Sequence, residues 1–364
     1  AFVLTLVTPA TKIGNTMAIH PKLADWWRSV TKGIDAGAAP GVACWVQRRG
    51  EVVLHDCHGL AAAKPEPDPV RLDMWWDLAS LSKALSTTLC ALKLAEDGRL
   101  PLDVPLGQSV PGPFAEDDRL AFITPRLLLT HTTGLPSWRR FYRTYQSRAE
   151  VREALLATNP TQPAGRGCVY SDLGFLLLGF AIEAAAGQRQ DEFLEESILT
   201  PLGLSGRLRY GPLPPEDCAA TEDCPWRGYI ARGEVHDENC AACDGVSGHA
   251  GVFATAESVG LLLEAVMRRR LLTAETWNDC FTVREDVAAG RFWLGFKRLG
   301  YESGDETAFG HDGFTGTLGW VCPREELVVA LLTNRVHPTR QNSLLYDYRP
   351  RWIADLAKLA GETW

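Results

Sequence analysis

Apolar residues recur at helical spacing at Leu81, Leu85, Leu89 and Leu92, a stripe that predicts a core-anchored helix opening near Ser80 and ending at Asp97-Gly98. The same period predicts helices over 19–32, 149–158, 173–186, 256–270 and 341–359. Shorter apolar runs read as strands over 41–47 and 51–55, joined by a turn at Arg48-Arg49-Gly50, and again over 291–299, 317–321 and 327–333. Between 205 and 250 the chain is rich in Pro, Cys, Gly and charge, which predicts an extended loop region. Strands at both ends with helices between them imply an α+β fold: one antiparallel sheet built from both chain ends, flanked by helices, with a mostly helical inserted domain. On this reading 20–79 and 271–364 form the α/β sheet domain, 80–270 the helical domain, and the active site lies in the cleft between them. Residues 1–19 read as a leader or appended segment, since the apolar start is short and lacks a basic n-region.

Composition narrows the classes without choosing one. The chain of 364 residues is 46% hydrophobic and 23% charged, ordinary for a globular protein with an ample core. A formal charge of −8 argues against a nucleic-acid partner, which needs a basic face, and no apolar run reaches membrane-spanning length. The ten cysteines do not have the spacing of a disulfide framework. Cys90 falls in the helix after Ser80 and reads as core. Cys218, Cys224, Cys240 and Cys243, with His236, could make a tetrahedral zinc site, and Cys240-x-x-Cys243 has ligand spacing. Only one pair is tightly spaced, so a surface disulfide or plain thiols compete with metal, and no cofactor is expected.

The chemistry concentrates at Ser80-Leu81-Ser82-Lys83. Three residues apart on a helix, a hydroxyl and an amine share one face, and a desolvated lysine can take a serine proton. Chance alone nearly supplies such a pattern, and Ser29-Val30-Thr31-Lys32 repeats it on what reads as a solvated helix face. Two further patterns add weight. Tyr170-Ser171-Asp172 precedes the apolar run Leu173, Leu176, Leu177 and Leu178; a lysine beside Tyr170 would favour its phenolate, and Asp172 is placed to cap the helix. His311-Asp312-Gly313-Phe314-Thr315-Gly316 is either a glycine-rich strand edge whose N–H groups meet an oxyanion, or a simple β-turn.

The order S-x-x-K, Y-x-(N/D), (K/H)-x-G resembles the penicillin-recognising serine hydrolases: class C β-lactamases, D-alanyl-D-alanine carboxypeptidases and related esterases. Similar flanks are Trp76-Asp77-Leu78-Ala79-Ser80, Leu127 to Pro136 with its Thr130-His131-Thr132-Thr133-Gly134 turn, Tyr170 to Phe175, Val235-His236-Asp237-Glu238-Asn239, and Gly248-His249-Ala250-Gly251-Val252-Phe253. The resemblance implies that Ser80 is an acylated nucleophile, that Lys83 helps remove its proton, and that Tyr170 is general base and then acid. It implies an oxyanion hole from the Ser80 and Phe314 N–H groups and substrate binding by Asp172, His311 and Gly313. It also points to the bacterial envelope, although the compartment is left open.

Two positions depart from the family pattern. Asp172 stands where asparagine is usual; ionised, it only accepts, and it would hold Lys83 protonated, shifting the base role to Tyr170. His311 stands where lysine is usual and, mostly neutral, binds a carboxylate less firmly; Asp312 adds repulsion if it faces the cleft. A poor β-lactamase and a better hydrolase of D-alanyl peptides or small esters is therefore expected. The rivals are a non-catalytic protein that binds cell-wall fragments, and a metal-dependent hydrolase built on the cysteine–histidine cluster. His131 reads as structural, His236 and His249 as candidate cleft residues, and Trp75-Trp76 as packing.

Overall fold

The computed structural model describes residues 19–115, 118–282, 290–300 and 304–362, so the segment expected as a leader lies, up to residue 18, outside the described residues. Helices of eight residues or more are α1 (Pro21–Asp35), α2 (Leu89–Glu96), α3 (Arg148–Leu156), α4 (Asp172–Ala186), α5 (Ala256–Met267) and α6 (Leu345–Ala360). The strands are β1 (Gly41–Arg48), β2 (Glu51–Ala62), β3 (Asp68–Pro69), β4 (Trp76–Asp77), β5 (Leu208–Tyr210), β6 (Ala220–Cys224), β7 (Tyr229–Arg232), β8 (Val252–Ala254), β9 (Lys297–Arg298), β10 (Phe309–Asp312), β11 (Leu318–Cys322) and β12 (Leu327–Thr333).

Seven of these strands form an antiparallel sheet in the order β3-β2-β1-β12-β11-β10-β9, so the two chain ends meet at its centre. Val42 pairs with Thr333 and Arg48 with Leu327. The β1–β2 hairpin closes through Arg49 and Gly50, both at positive φ (51° and 83°), the two-residue geometry whose twist matches the flanking strands. Central strands are buried on both faces, hence near-continuous apolar runs such as Leu327–Thr333. Val42, Cys44 and Val46 cluster with Trp26, Trp27 and Val30 of α1 and Trp352 and Ile353 of α6. Ala43 and Trp45 face the other way, toward Val259, Leu262 and Leu263 of α5. Gly260 permits that approach, because a Cβ there would lie 2.1 Å from the Trp45 ring.

The fold is α+β, with helices on both faces of the antiparallel sheet and a mostly helical insertion. Four local expectations are corrected. The 205–250 stretch is not simply loop: it holds β5, β6, β7 and a short helix, Glu238–Ala241. The two-stranded β6–β7 ribbon satisfies its backbone locally with mixed polar side chains, so no apolar period betrays it. Within 291–299 only β9 is a strand, and β2 runs on past residue 55 to Ala62. His311 and Asp312 belong to β10, paired with Gly319 and Leu318, and so are not part of a simple turn.

Candidate active site

The Ser80 loop is held in an unusual backbone path. Ala79, immediately before Ser80, has φ 46°, a left-handed conformation disfavoured for a residue with a Cβ. Buried Asp77 pins it: its carboxylate accepts from the Ala79 N–H (2.8 Å) and the His236 N–H (2.6 Å). From the other side, the Thr315 and Thr317 hydroxyls donate to the carbonyls of Asp77 (2.7 Å) and Leu78 (2.9 Å). Only glycine fits at 313, where a Cβ would meet Thr317 Oγ1 at 2.2 Å and the Leu78 oxygen at 2.3 Å. The β10–β11 turn is thereby locked against the nucleophile loop, which brings Phe314 beside Ser80 on the cleft wall. Neither the Ser80 nor the Phe314 N–H is engaged by another backbone acceptor among the described residues.

After Ser80 the chain turns into helix, with a π-wound segment Lys83–Thr88 ahead of α2. Leu81, Leu85, Leu89 and Leu92 are all buried in the main core, as the stripe required. Lys83 is fully buried; Nζ donates to Ser80 Oγ (2.8 Å) and the His249 carbonyl (3.0 Å) and pairs with Asp172 Oδ1 (2.7 Å). The second match, Ser29 and Lys32, is exposed on α1.

Burial alone would lower the Lys83 pKa, but the Asp172 carboxylate and Tyr170 outweigh it, so the ammonium is held above its ordinary value. Tyr170 corrects the expectation of an easy phenolate. Its pKa is raised: burial is the largest cause, and the opposing pull of Lys83 does not overcome it. The resting pair is an ammonium beside a phenol. Asp172 is also corrected as helix cap. Ser171 caps α4, its Oγ accepting from the Gly174 N–H (3.0 Å), which leaves the Asp172 carboxylate for Lys83.

These groups open onto a cleft of about 430 Å³ whose walls include Ser80, Tyr170, Asp172, His249, Gly313 and Phe314. His311 is not brought to the wall. It is fully buried, its Nδ1 2.7 Å from the Asp312 carbonyl, and burial followed by the charge of Lys297 drives its pKa well down, so the ring is neutral. A cation does stand there, from a residue the sequence reading missed. Lys297 of β9 lines the cleft, with Nζ 5.3 Å from the Tyr170 ring centroid. It pairs with Asp312 Oδ1, and Arg349 of α6 pairs with Oδ2 (2.9 Å). Asp312 faces the cleft as feared, yet burial, which would raise its pKa, is overridden by these two cations, which hold the carboxyl well below its ordinary range. Asp312 is thus held as a paired anion, and in return it occupies both cations.

His236 and His249 both line the cleft. His249 Nε2 lies 2.8 Å from Asp237, and His236 stacks on Phe314 and approaches Glu222 (3.2 Å). His131 is structural: Nδ1 accepts from the Ser171 N–H (3.1 Å) beneath the Tyr170 ring. Trp76 is buried core, and Trp75 lies under the Arg209 guanidinium.

The proposed zinc ligands are not assembled. Cys218 and Cys240 sit in one small apolar cluster, the Cys240 thiol against the Ala250 carbonyl, while Cys243 belongs to the main core; all ten cysteines are free thiols, which also removes the disulfide alternative. Cys224 instead joins Glu222 and Glu238, the one metal-compatible set among the described residues, with ligand atoms within 4.8 Å. The Arg340 guanidinium already binds that set, reaching Glu222 (2.6 Å) and Glu238 (2.6 Å). Burial would raise the Glu222 carboxyl, but hydrogen bonds from His236 and Arg340 hold it down to about 2. A depressed carboxyl stabilises the fold above its ordinary pKa of 4.5 and loses that contribution as pH falls toward 2. Glu222→Gln should therefore flatten the loss of stability over this acid range, measured by denaturant unfolding at stepped pH.

Sheet, cleft and serine–lysine–tyrosine geometry define a serine hydrolase of the β-lactamase and penicillin-binding-protein fold. The chain belongs to the Beta-lactamase family, whose family model matches residues 27–349. It is 30% identical over 352 residues to the N-acetylmuramyl-L-alanine amidase of Bacillus subtilis (strain 168), covering 83% of this chain and 78% of that one. It is 27% identical over 358 residues to a putative D-alanyl-D-alanine carboxypeptidase of Escherichia coli (strain K12), covering 85% and 81%. The octameric penicillin-binding protein homologue from Pyrococcus abyssi shares the fold at a TM-score of 0.68 and 19% identity, over 89% of this chain and 76% of that one. No helix among the described residues is long and apolar enough to cross a membrane.

Proposed function

We propose that this chain hydrolyses D-alanyl peptides or small esters through an acyl-enzyme on Ser80, with weak β-lactamase activity. The observation that carries the reading is the 2.8 Å contact from Lys83 Nζ to Ser80 Oγ inside a cleft shared with Tyr170. With Lys83 donating to Oγ, the serine proton leaves to the Tyr170 oxygen in the minor fraction of molecules whose Tyr170 is ionised. Oγ then bonds to the substrate carbonyl carbon, and the carbonyl electrons move onto an oxygen facing the Ser80 and Phe314 N–H groups. Collapse breaks the bond to the leaving group, which takes the proton from Tyr170. Water repeats the sequence in reverse and frees Ser80. Gly313 supports the reading by fixing the turn that carries Phe314. The relatives named as amidase and carboxypeptidase support an acyl donor from cell-wall peptide.

The test is covalent. An aryl phosphonate ester and a nitrophenyl ester should each leave an adduct on the peptide containing Ser80, detected by mass spectrometry. Absence of any adduct, with no turnover of esters, D-alanyl dipeptides or nitrocefin, would sink the proposal and leave the non-catalytic binding protein as the better account.

Asp172 supports the weak response to β-lactams, because its carboxylate is spent on Lys83 and offers no donor to a substrate amide. Asp172→Asn should raise the rate of acylation by a fluorescent penicillin about tenfold, the worth of one added hydrogen bond of roughly 1.4 kcal/mol. An unchanged rate in a folded variant would remove Asp172 as the cause.

A further inference from the structure

The cleft continues past Tyr170 into a second cavity of about 340 Å³ whose walls carry four cations, Arg291, Lys297, Arg298 and Arg349, and one anion, Asp312. Tyr170, Lys297 and Asp312 line both spaces. Under the acyl-transfer reading, Tyr170 hands its proton to the departing group, so this side of the cleft receives the leaving group. A cationic pocket in that place would ordinarily select a leaving group ending in a carboxylate.

Here the carboxylate is already present. One Asp312 oxygen pairs with Lys297 and the other with Arg349 (2.9 Å), so two of the four cations, including the one shared with the cleft wall, are spent on one side chain. Asp312 is fixed on β10 by its register opposite Leu318, and its side chain is 28% exposed. It therefore presents to solvent in the cleft while its charge is held from behind. A substrate carboxylate arriving there must compete with an anion already seated between the two cations. Neutral ends meet no such competition.

We propose that Asp312 is a built-in anion at the leaving-group end, and that the site therefore selects substrates whose leaving group carries no free carboxylate: D-alanyl amides, internal peptide bonds or neutral esters. The inference rests on the Ser80 acyl-transfer reading and narrows it. Asp312 is a specificity-determining residue; it takes no part in the proton transfers.

The experiment compares two substrates that differ at one point: an acyl thioglycolate thioester and the same thioester with its carboxylate capped as the methyl amide. The wild-type protein should favour the capped form in kcat/KM by roughly tenfold, about 1.4 kcal/mol. Asp312→Asn, which keeps the shape and removes the charge, should shift the ratio toward the free carboxylate by at least about the same factor. Asp312→Ser serves as the second variant if the first does not fold. Binding of D-alanyl-D-alanine against its C-terminal amide, by calorimetry on the same proteins, should move in parallel. A wild-type preference for the carboxylate form, or a ratio unmoved in the folded variants, would overturn the proposal. If neither thioester acylates Ser80, the acyl-transfer reading fails, while the binding ratio, which needs no chemistry, still decides this one.

Discussion

Lys83→Met should lower kcat/KM about 10³-fold on every acyl substrate and cost the fold about 3 kcal/mol. Methionine keeps the approximate length and apolar stem of the side chain, so the π-wound turn and its packing against α4 are retained. What disappears is the donor to Ser80 Oγ and to the His249 carbonyl, together with the cation paired with Asp172. The activity loss follows because the cation between Ser80 and Tyr170 is gone, while Lys297 on the other side of the ring is paired with Asp312, so the phenolate is less well supported at the moment it accepts the serine proton. The stability loss follows because Asp172, with a side chain 24% exposed, becomes a part-buried unpaired charge. Burst kinetics with a nitrophenyl ester measure the first, and urea unfolding the second. An acylation rate within tenfold of wild type would remove Lys83 from the chemistry.

Tyr170→Phe should reduce kcat/KM by about 10²–10⁴-fold, the usual worth of a general acid–base group, and should change the shape of the pH profile as well as its height. The Tyr170 pKa is raised above the ordinary tyrosine value, chiefly by burial. The reactive phenolate is thus a minor species at neutral pH, and its fraction grows about tenfold per pH unit below that pKa. Wild-type kcat/KM should climb with near-unit slope from pH 7 to about 9 without a plateau. Lys83 supplies no break in this range, since its own pKa is also raised. The phenylalanine variant should lose the slope. A wild-type plateau beginning near pH 7 would mean that the base is another group.

Much of the site was legible in the chain because its members lie in short local patterns. Ser80 and Lys83 are three residues apart where a helix opens, and Tyr170 sits beside a strongly apolar helix start, so spacing and flanks mark all three as candidates. Lys297 was not legible. Its strand, β9, is two residues long, and its place beside Tyr170 depends on pairing with β10. Protonation was equally hidden, because burial reverses the expected sign at Tyr170 and the sequence carries no measure of burial at a loop residue. The cysteines misled for a related reason: Cys240-x-x-Cys243 has ligand spacing, yet the short helix Glu238–Ala241 leaves one thiol in each of two apolar clusters. Arg340, which occupies the acidic set at Glu222 and Glu238, comes from over a hundred positions downstream and leaves no local trace.

The pairing of Val42 with Thr333 sets a timetable for biosynthesis. At a translation rate of about 5–20 residues per second, β1 and β2 wait on the order of tens of seconds before their central partner is made. Until then the hairpin has an open edge, and a nascent chain depends on chaperones or on transient cover to avoid pairing with its neighbours. The same delay guards the chemistry. Thr315 and Thr317, whose hydroxyls fasten the loop before Ser80, are themselves late arrivals. An incomplete chain thus carries the serine and lysine without the clamp that aims them, and a ribosome-stalled fragment should be inert toward any ester.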